Sequence, residues 1–357
     1  MLEQTLPKEW HELAAVQQKT EDGLLSKPNV VGVALSHKVK GETPTDEPAV
    51  AVLVNQKLAP ELLTEDDLVP KKLDGATTDV VEVGDIFAGG GTPKGLDTML
   101  LEAPAREYPQ WEEGEPEPVL PEPGDLDIRP EALRRRIRPA MGGYSVGHYR
   151  ITAGTMATAC YDLTPFPGIP RKFYLLSNNH VLAASNQARL GDPILQPGPA
   201  DGGRYPRDLI ARLSRFVPIR FLSGSSQPVN YVDAAIAEGD FADLNREIYW
   251  IGYIKDMYQA PNVGMVVQKT GRTTNYTTGK ITAVNATVNV NYGGGRVARF
   301  ARQILTTAMS APGDSGSMVT DLEEQAVGLL FAGSSSVTVI NNILYVQALL
   351  RIRVHEG

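Results

Sequence analysis

The chain has 357 residues, 42% of them hydrophobic and 21% charged, with a formal net charge of −8. That length and balance allow two or three domains with buried cores and exclude a disordered polymer. The acidic surplus argues against nucleic-acid partners, because it repels phosphate backbones.

In chain order, residues 9–25 read as a helix with Trp10, Leu13, Ala14 and Gln17 on one face and charges elsewhere. Two runs rich in β-branched residues follow at 30–35 and 49–54, with a polar, turn-rich stretch at 41–47 between them. A short helix is expected over 60–68, and Val80, Val81 and Val83 suggest a strand before Gly84. Residues 1–85 therefore read as a small α+β domain, whose sequence shows no chemistry of its own. The first thirty residues carry Glu3, Lys8, Glu9, Glu12, Lys19, Glu21 and Asp22, with no signal-peptide core among them. Nothing further along approaches the roughly 20 apolar residues needed to cross a bilayer. A cytoplasmic location and no membrane partner are the expectations.

Residues 86–141 have a different composition. Gly89, Gly90 and Gly91 are followed by a proline- and acid-rich stretch at 109–127, from which a packed core is hard to build. A linker is expected here. No Gly-Lys-Ser/Thr follows the three glycines, so they read as a flexible turn and not a phosphate loop. Arg134, Arg135, Arg136 and Arg138, beside Glu131, form the one basic cluster. No aromatic residues interleave it for base stacking, and it reads as a solvated linker or helix face.

From residue 142 onward, short apolar runs alternate with turn signals, among them 173–176, 209–216, 232–237, 281–290, 298–305 and 326–331. Thr287, Val288, Asn289, Val290 and Asn291 alternate as a half-exposed strand does, and 292–295 read as a hairpin turn. A short helix is expected at 346–352. This is an all-β signature, suited to a sandwich or a pair of barrels. The single cysteine, Cys160, permits no internal disulfide, which points to a reducing compartment. It lies in an apolar stretch and reads as a small buried side chain.

Three segments carry chemistry. In Ser177-Asn178-Asn179-His180-Val181, a histidine stands at the exit of an apolar strand. In Tyr231-Val232-Asp233-Ala234-Ala235, an aspartate opens one. In Pro312-Gly313-Asp314-Ser315-Gly316-Ser317, a serine sits between glycines in a tight turn. Serine becomes a nucleophile when a base takes its proton, and histidine is the natural base near neutral pH. An aspartate on the other ring nitrogen fixes the tautomer and stabilises the imidazolium. The glycines let the N–H groups of Gly313 and Ser315 converge on an oxyanion. Asp192, Asp201, Asp208 and Asp240 are rival acids, but Asp233 alone opens an apolar strand soon after the histidine.

The Gly313-Asp314-Ser315-Gly316 motif, with His180 and Asp233 ahead of it in that order, resembles the chymotrypsin/trypsin superfamily of serine proteases. The contexts of His180 and Ser315 look closer to an HtrA-like bacterial branch, without a PDZ domain. Lys269-Thr270-Gly271-Arg272-Thr273-Thr274 is also similar to bacterial trypsin-like proteins. An N-terminal extension ahead of such a protease is found in the plant NARROW LEAF protein. The resemblance covers roughly residues 142–350. It implies an all-β double six-stranded barrel, with His180 and Asp233 in the first barrel, Ser315 in the second and the site between them. It also implies that Met309, six residues before the nucleophile, sets specificity, giving a small or medium apolar P1 preference. Phe331, Ala332 and Gly333 would line the pocket and pair with the substrate backbone. In secreted relatives the acid matching Asp314 pairs with a new N-terminus. Here a cut within 106–141 would supply one, or an internal cation, His148 or an arginine, would take its place.

The expectation is a serine endopeptidase acting on protein or peptide substrates without a cofactor. A latent or non-enzymatic scaffold with an intact triad is the rival, and an esterase using the same triad a third reading. Self-association stays open. Asp201 and Asp208 with Gly202 and Gly203 read as a polar surface loop before a calcium site. His11, His37, His148 and His355 are too scattered for zinc.

Overall fold

β-Branched runs bounded by glycine and proline turns become strands, and the few helices sit at sheet margins. The computed structural model describes residues 6–41, 43–89, 129–163, 172–224 and 226–355. The first stretches give α1 (His11–Leu25), β1 (Val30–Lys40), β2 (Thr43–Val54), β3 (Lys72–Leu73), β4 (Ala76–Glu82) and β5 (Phe87–Ala88). The helix expected at 60–68 is only a 3-10 turn, Pro60–Leu62. The polar stretch at 41–47 mostly stays extended, because β1 and β2 form one long hairpin down to Lys40 opposite Thr43.

The first half of the remaining chain contributes β6 (Ala140–Gly142), β7 (Ser145–His148), β8 (Gly154–Thr155), β9 (Thr158–Asp162), β10 (Phe173–Ser177), a short helix α2 (Asn179–Leu182), β11 (Pro193–Leu195), β12 (Leu209–Phe216), β13 (Val229–Asn230), β14 (Ala235–Gly239) and β15 (Leu244–Ile248). The second half contributes β16 (Asp256–Met257), β17 (Val266–Gly271), β18 (Asn275–Asn291), β19 (Val297–Thr307), β20 (Met318–Thr320), β21 (Gln325–Gly333), β22 (Val337–Asn342), α3 (Ile343–Leu350) and β23 (Ile352–Arg353).

Among the described residues there are two large sheets, one of eight strands around β9, β10, β14 and β12, and one of thirteen around β17–β22. This mostly β, two-sheet architecture fits the expected double barrel. The second sheet exceeds six strands because the N-terminal strands extend it. β1 pairs antiparallel with β18, β2 pairs with β1, and β4 with β2. Residues 6–89 therefore share a sheet with the second barrel. They share a core with it as well. Trp10, Leu35, Val50 and Val52 pack with Val267, Ile281, Ile304 and Leu330.

The outer face of β18 is covered as a result. Thr287 was expected on a half-exposed strand, yet it is buried, and its hydroxyl donates to Glu21 of α1 at 3.0 Å. Gln17 and Asn285 bond each other across the same seam, with Asn285 Nδ2 donating to Gln17 Oε1 at 3.0 Å. Burial raises the Glu21 carboxyl above its ordinary value, against the Thr287 bond that pulls it down.

Most of the expected linker, residues 90–128, lies outside the described residues, Gly90 and Gly91 with it. The described ends of 86–141 are packed. The arginine cluster is not a free solvated face: Arg136 pairs with the buried Asp208 at 3.4 Å, and Arg138 donates to Gln196 Oε1 at 2.5 Å. Burial pulls the Arg138 guanidinium down to about 10. No helix among the described residues is long and apolar enough to cross a membrane.

Because α1 and the second barrel share one core, Trp10→Ala should destabilise the whole protein by about 3–5 kcal/mol. Chemical denaturation followed by tryptophan fluorescence and by far-ultraviolet circular dichroism should give coincident transitions. An early loss confined to the N-terminal region would contradict the shared core.

Candidate active site

Antiparallel pairing brings two of the three predicted residues together. β10 and β14 are neighbours with Ser177 opposite Ala235. His180 follows the end of β10 and Asp233 precedes the start of β14, so both emerge at the same edge of the first sheet. His180 Nδ1 lies 2.6 Å from Asp233 Oδ2, and the His180 backbone N–H donates to Oδ1 at 3.1 Å. Asp233 has no solvent exposure. Its own N–H donates to Asn341 Oδ1 at 2.9 Å, and its carbonyl accepts from Asn178 Nδ2 at 2.7 Å. Asn341 in turn donates to Gln303 at 2.7 Å. The acid of the first barrel is thus held by side chains of the second.

A residue that the sequence reading missed completes this grip. The Tyr292 hydroxyl donates to Asp233 Oδ2 at 2.6 Å. Burial first, then the Asp233 charge and hydrogen bond, push the Tyr292 phenol well above its ordinary value, so it stays a donor. In the sequence Tyr292 is only the opening of a hairpin turn, and no local signal aims it at Asp233. Its ring is 6.2 Å from that of His180, edge-on, and packs beside Phe221 and Phe300.

Ser315 arrives from the second barrel, in the turn between β19 and β20. The turn is pinned to the first barrel: Thr155 N donates to Ser315 O at 2.7 Å, and Thr155 Oγ1 donates to Gly313 O at 2.9 Å. Ser177, close before His180, donates to Thr155 O at 2.7 Å. Gly316 makes this approach possible. It has φ +97°, and a Cβ there would lie 2.2 Å from Thr155 O and 2.1 Å from Ser177 Oγ. Within the turn the N–H groups of Asp314 and Ser317 donate to Ala311 O and Asp314 O, and that of Gly316 donates to Leu330 O of β21. Those of Gly313 and Ser315 have no acceptor among the described residues. His180 Nε2 and Ser315 Oγ are both buried without a hydrogen-bond partner among the described residues. A base nitrogen and a hydroxyl left open in this way can exchange a proton with an incoming reactant.

The partner of Asp314 is neither His148 nor an arginine. It is Lys269 of β17, whose Nζ lies 3.1 Å from Asp314 Oδ2, both side chains fully buried. Ala311 N and Thr274 Oγ1 donate to the same oxygen, at 3.0 and 2.7 Å. The N–H groups of Thr273 and Thr274 donate to Oδ1 at 2.9 and 3.2 Å. Burial lowers the Lys269 ammonium below its ordinary value, and Asp314 raises it back in part. His148 is engaged elsewhere, 3.0 Å from Asp192. The sequence signal was the Lys269-Thr270-Gly271-Arg272-Thr273-Thr274 segment, nearly all of which serves this carboxylate or the turn beside it.

The rival acids have other partners. Asp201 accepts from Ser145 at 2.5 Å and forms a two-pronged pair with Arg272. Asp208 takes Arg207 and Arg136, and Asp240 is exposed. Cys160 is buried, and burial pushes its thiol up, away from reactivity.

The expected substrate-binding residues are packed on the second sheet. Met309 is only 5% exposed and packs in the core of the second barrel, where its sulfur lies close over Gly279. Phe331 is fully buried, its ring 4.8 Å from that of Phe300. Ala332 and Gly333 do lie on a strand margin, but β5 is paired to them, with Ala332 opposite Ala88 and Gly333 opposite Phe87.

With this geometry in place, known proteins can be compared. Glutamyl endopeptidase 2 of Streptomyces griseus is 30% identical over 188 residues, spanning 52% of this chain and 78% of that protein. The chain belongs to the trypsin/chymotrypsin-like serine proteases. It is a serine endopeptidase, a hydrolase of peptide bonds. Serine protease 2 of Streptomyces fradiae is 35% identical over 111 residues, 30% of this chain and 52% of that protein. Among solved structures, Thermobifida fusca protease A is 15% identical with a TM-score of 0.42, covering 61% of this chain and 98% of that one. No family model matches. The Streptomyces relatives bear out the superfamily, but not the HtrA-like branch or the likeness to the NARROW LEAF arrangement.

Two substitutions test the supports of the protease site. Lys269→Met strands the Asp314 charge in a dry interior and should cost about 3–5 kcal/mol of stability in denaturant titration. Tyr292→Phe keeps the ring and removes the donor. It should lower kcat about ten-fold with little change in KM, as loss of one hydrogen bond to a charged group predicts.

Proposed function

We propose that this endopeptidase works through a Ser315–His180–Asp233 triad and an acyl-enzyme. The single observation that carries the reading is the 2.6 Å bond between His180 Nδ1 and the buried Asp233, with His180 Nε2 and Ser315 Oγ both left unpartnered. Ser315 Oγ attacks the scissile carbonyl carbon as its proton passes to His180 Nε2. The carbonyl electron pair moves onto oxygen, where the N–H groups of Gly313 and Ser315 receive it. Collapse expels the amine, which takes the proton from His180, and leaves the acyl group on Ser315. Water then repeats the attack, restoring serine and releasing the acid. Asp233 holds the ring with its Nδ1–H inward, and Tyr292 with Asn341 holds Asp233. Lys269 supplies the charge that Asp314 needs, so the turn requires no newly cut N-terminus.

The substrate is a protein or peptide. A small or medium apolar P1 residue is proposed, since Met309 and not an acid or base stands six residues before Ser315. The Streptomyces relative is named for glutamyl bonds, so peptides with Glu at P1 make the direct contrast. Cleavage favouring Glu over Ala, Leu and Met would overturn the apolar preference. Activity is proposed to be restricted, because β5 already occupies the margin at Ala332 and Gly333. A cytoplasmic setting, and catalysis without cofactor, nucleic acid or membrane, complete the proposal.

A fluorophosphonate should label the purified full-length protein on Ser315, and neither Ser315→Ala nor His180→Ala should label at a comparable rate. Equal labelling of wild type and Ser315→Ala would remove Ser315 from the mechanism.

A further inference from the structure

β21 carries the site on its back. At Leu329 its neighbour β20 stops, where Met318 pairs with Leu329. Leu330 then bonds the nucleophile turn directly: its carbonyl accepts from Gly316 N at 2.8 Å, and its N–H donates to Ser317 O at 3.0 Å. From Phe331 onward that side of the strand has left β20, directly after the residue that bonds the neighbours of Ser315 on its C-terminal side. A peptide placed there as an extra antiparallel strand would run its backbone past the nucleophile.

That place is filled by the chain itself. β5 lies antiparallel on it, and Gly89 N donates to Phe331 O at 2.9 Å. The other side of β5 is bonded too. Asn291 N donates to Ile86 O at 2.8 Å, and Asn291 is the residue before Tyr292. Upstream, Val83 N donates to Val54 O at 2.9 Å and Ser334 Oγ donates to Val83 O. Ile86, Phe87 and Ala88 are buried, at 2%, 6% and 4% exposure.

We propose that residues 86–89 are an intramolecular occupant of the peptide-binding strand, and that substrate reaches Ser315 only when this segment is displaced. The inference rests on the triad reading above. The occupant competes with substrate for the same backbone groups of Phe331 and Gly333. Tethering gives it an effective concentration on the order of millimolar, so peptides at micromolar concentration lose the competition. The catalytic groups themselves are assembled, since Lys269 already holds Asp314 and Tyr292 holds Asp233. The protein is built as a finished catalyst with its substrate strand taken.

The test separates the nucleophile from the peptide strand. A small fluorophosphonate needs only Ser315 and its surroundings, whereas a peptide needs β21. Gly89→Pro removes the N–H that bonds Phe331 and cannot adopt the φ of +87° found at Gly89. In the full-length protein it should raise kcat/KM on fluorogenic peptides with Ala, Leu, Met or Glu at P1 by at least about ten-fold, with labelling within about two-fold of wild type. A second variant works in the opposite direction. Ala88→Cys with Ala332→Cys places thiols on facing positions of the ladder, where a disulfide can close. Oxidation should cut peptide cleavage at least about ten-fold relative to the same protein reduced, with labelling retained. Intact labelling with unchanged peptide cleavage in both comparisons overturns the occupant alone. No labelling in any form overturns the triad reading, and the occupant with it.

Discussion

A carboxylate buried in a dry interface must be given a cation and a full set of donors, or it unfolds the turn that carries it. Asp314 precedes the nucleophile, and Lys269 answers it with a fully buried ammonium. Three backbone N–H groups and the Thr274 hydroxyl complete the shell. This one knot fixes the path from Ala311 to Ser317. It leaves the N–H groups of Gly313 and Ser315 free for the proposed oxyanion, and it presents Ser315 O to Thr155 of the first sheet. The knot is internal to the chain, so the turn has its shape without a cleaved terminus.

The second dependence runs the other way across the interface. Asp233 belongs to the first sheet, but its carboxylate and backbone N–H are held by Tyr292 and Asn341 of the second. Thr155 of the first sheet, itself bonded by Ser177, holds the serine turn of the second. Each sheet therefore positions the proposed catalytic group contributed by the other. A shift between them would loosen both ends of the proton path at once, which ties the site geometry to the docking of the halves.

The N-terminal region enters the same arrangement. β1 adds to β18, and α1 caps the outer face through Gln17 and Glu21. This anchors β2 and β4, and the chain leaving β4 is thereby led along Val83 and Ile86 to the margin of β21. The strand that would take a peptide is the one this path reaches. Catalytic readiness and access are thus controlled by separate parts of the molecule.

Much of the site was legible in the sequence. Ser315 between glycines, His180 at a strand exit and Asp233 at a strand start are local patterns, and the chemistry of each residue type gives its role. The strands at 30–35, 49–54 and 173–176, and the helix at 9–25, were legible because apolar periodicity is also local. The partners of those residues were not. Lys269 reads as an ordinary strand lysine until folding buries it against Asp314. Tyr292 reads as a turn residue until β18 delivers it to Asp233. That Met309 packs against Gly279 of β18 and Phe331 against Phe300 of β19 is likewise written in no local pattern. That Thr287 is covered, and that Phe87 and Ala88 lie on Ala332 and Gly333, depends on pairings between residues hundreds of positions apart. Local sequence encodes which groups can react and which segments extend. Which groups become neighbours is decided only when two sheets and an N-terminal hairpin compete for the same hydrogen bonds and the same buried volume.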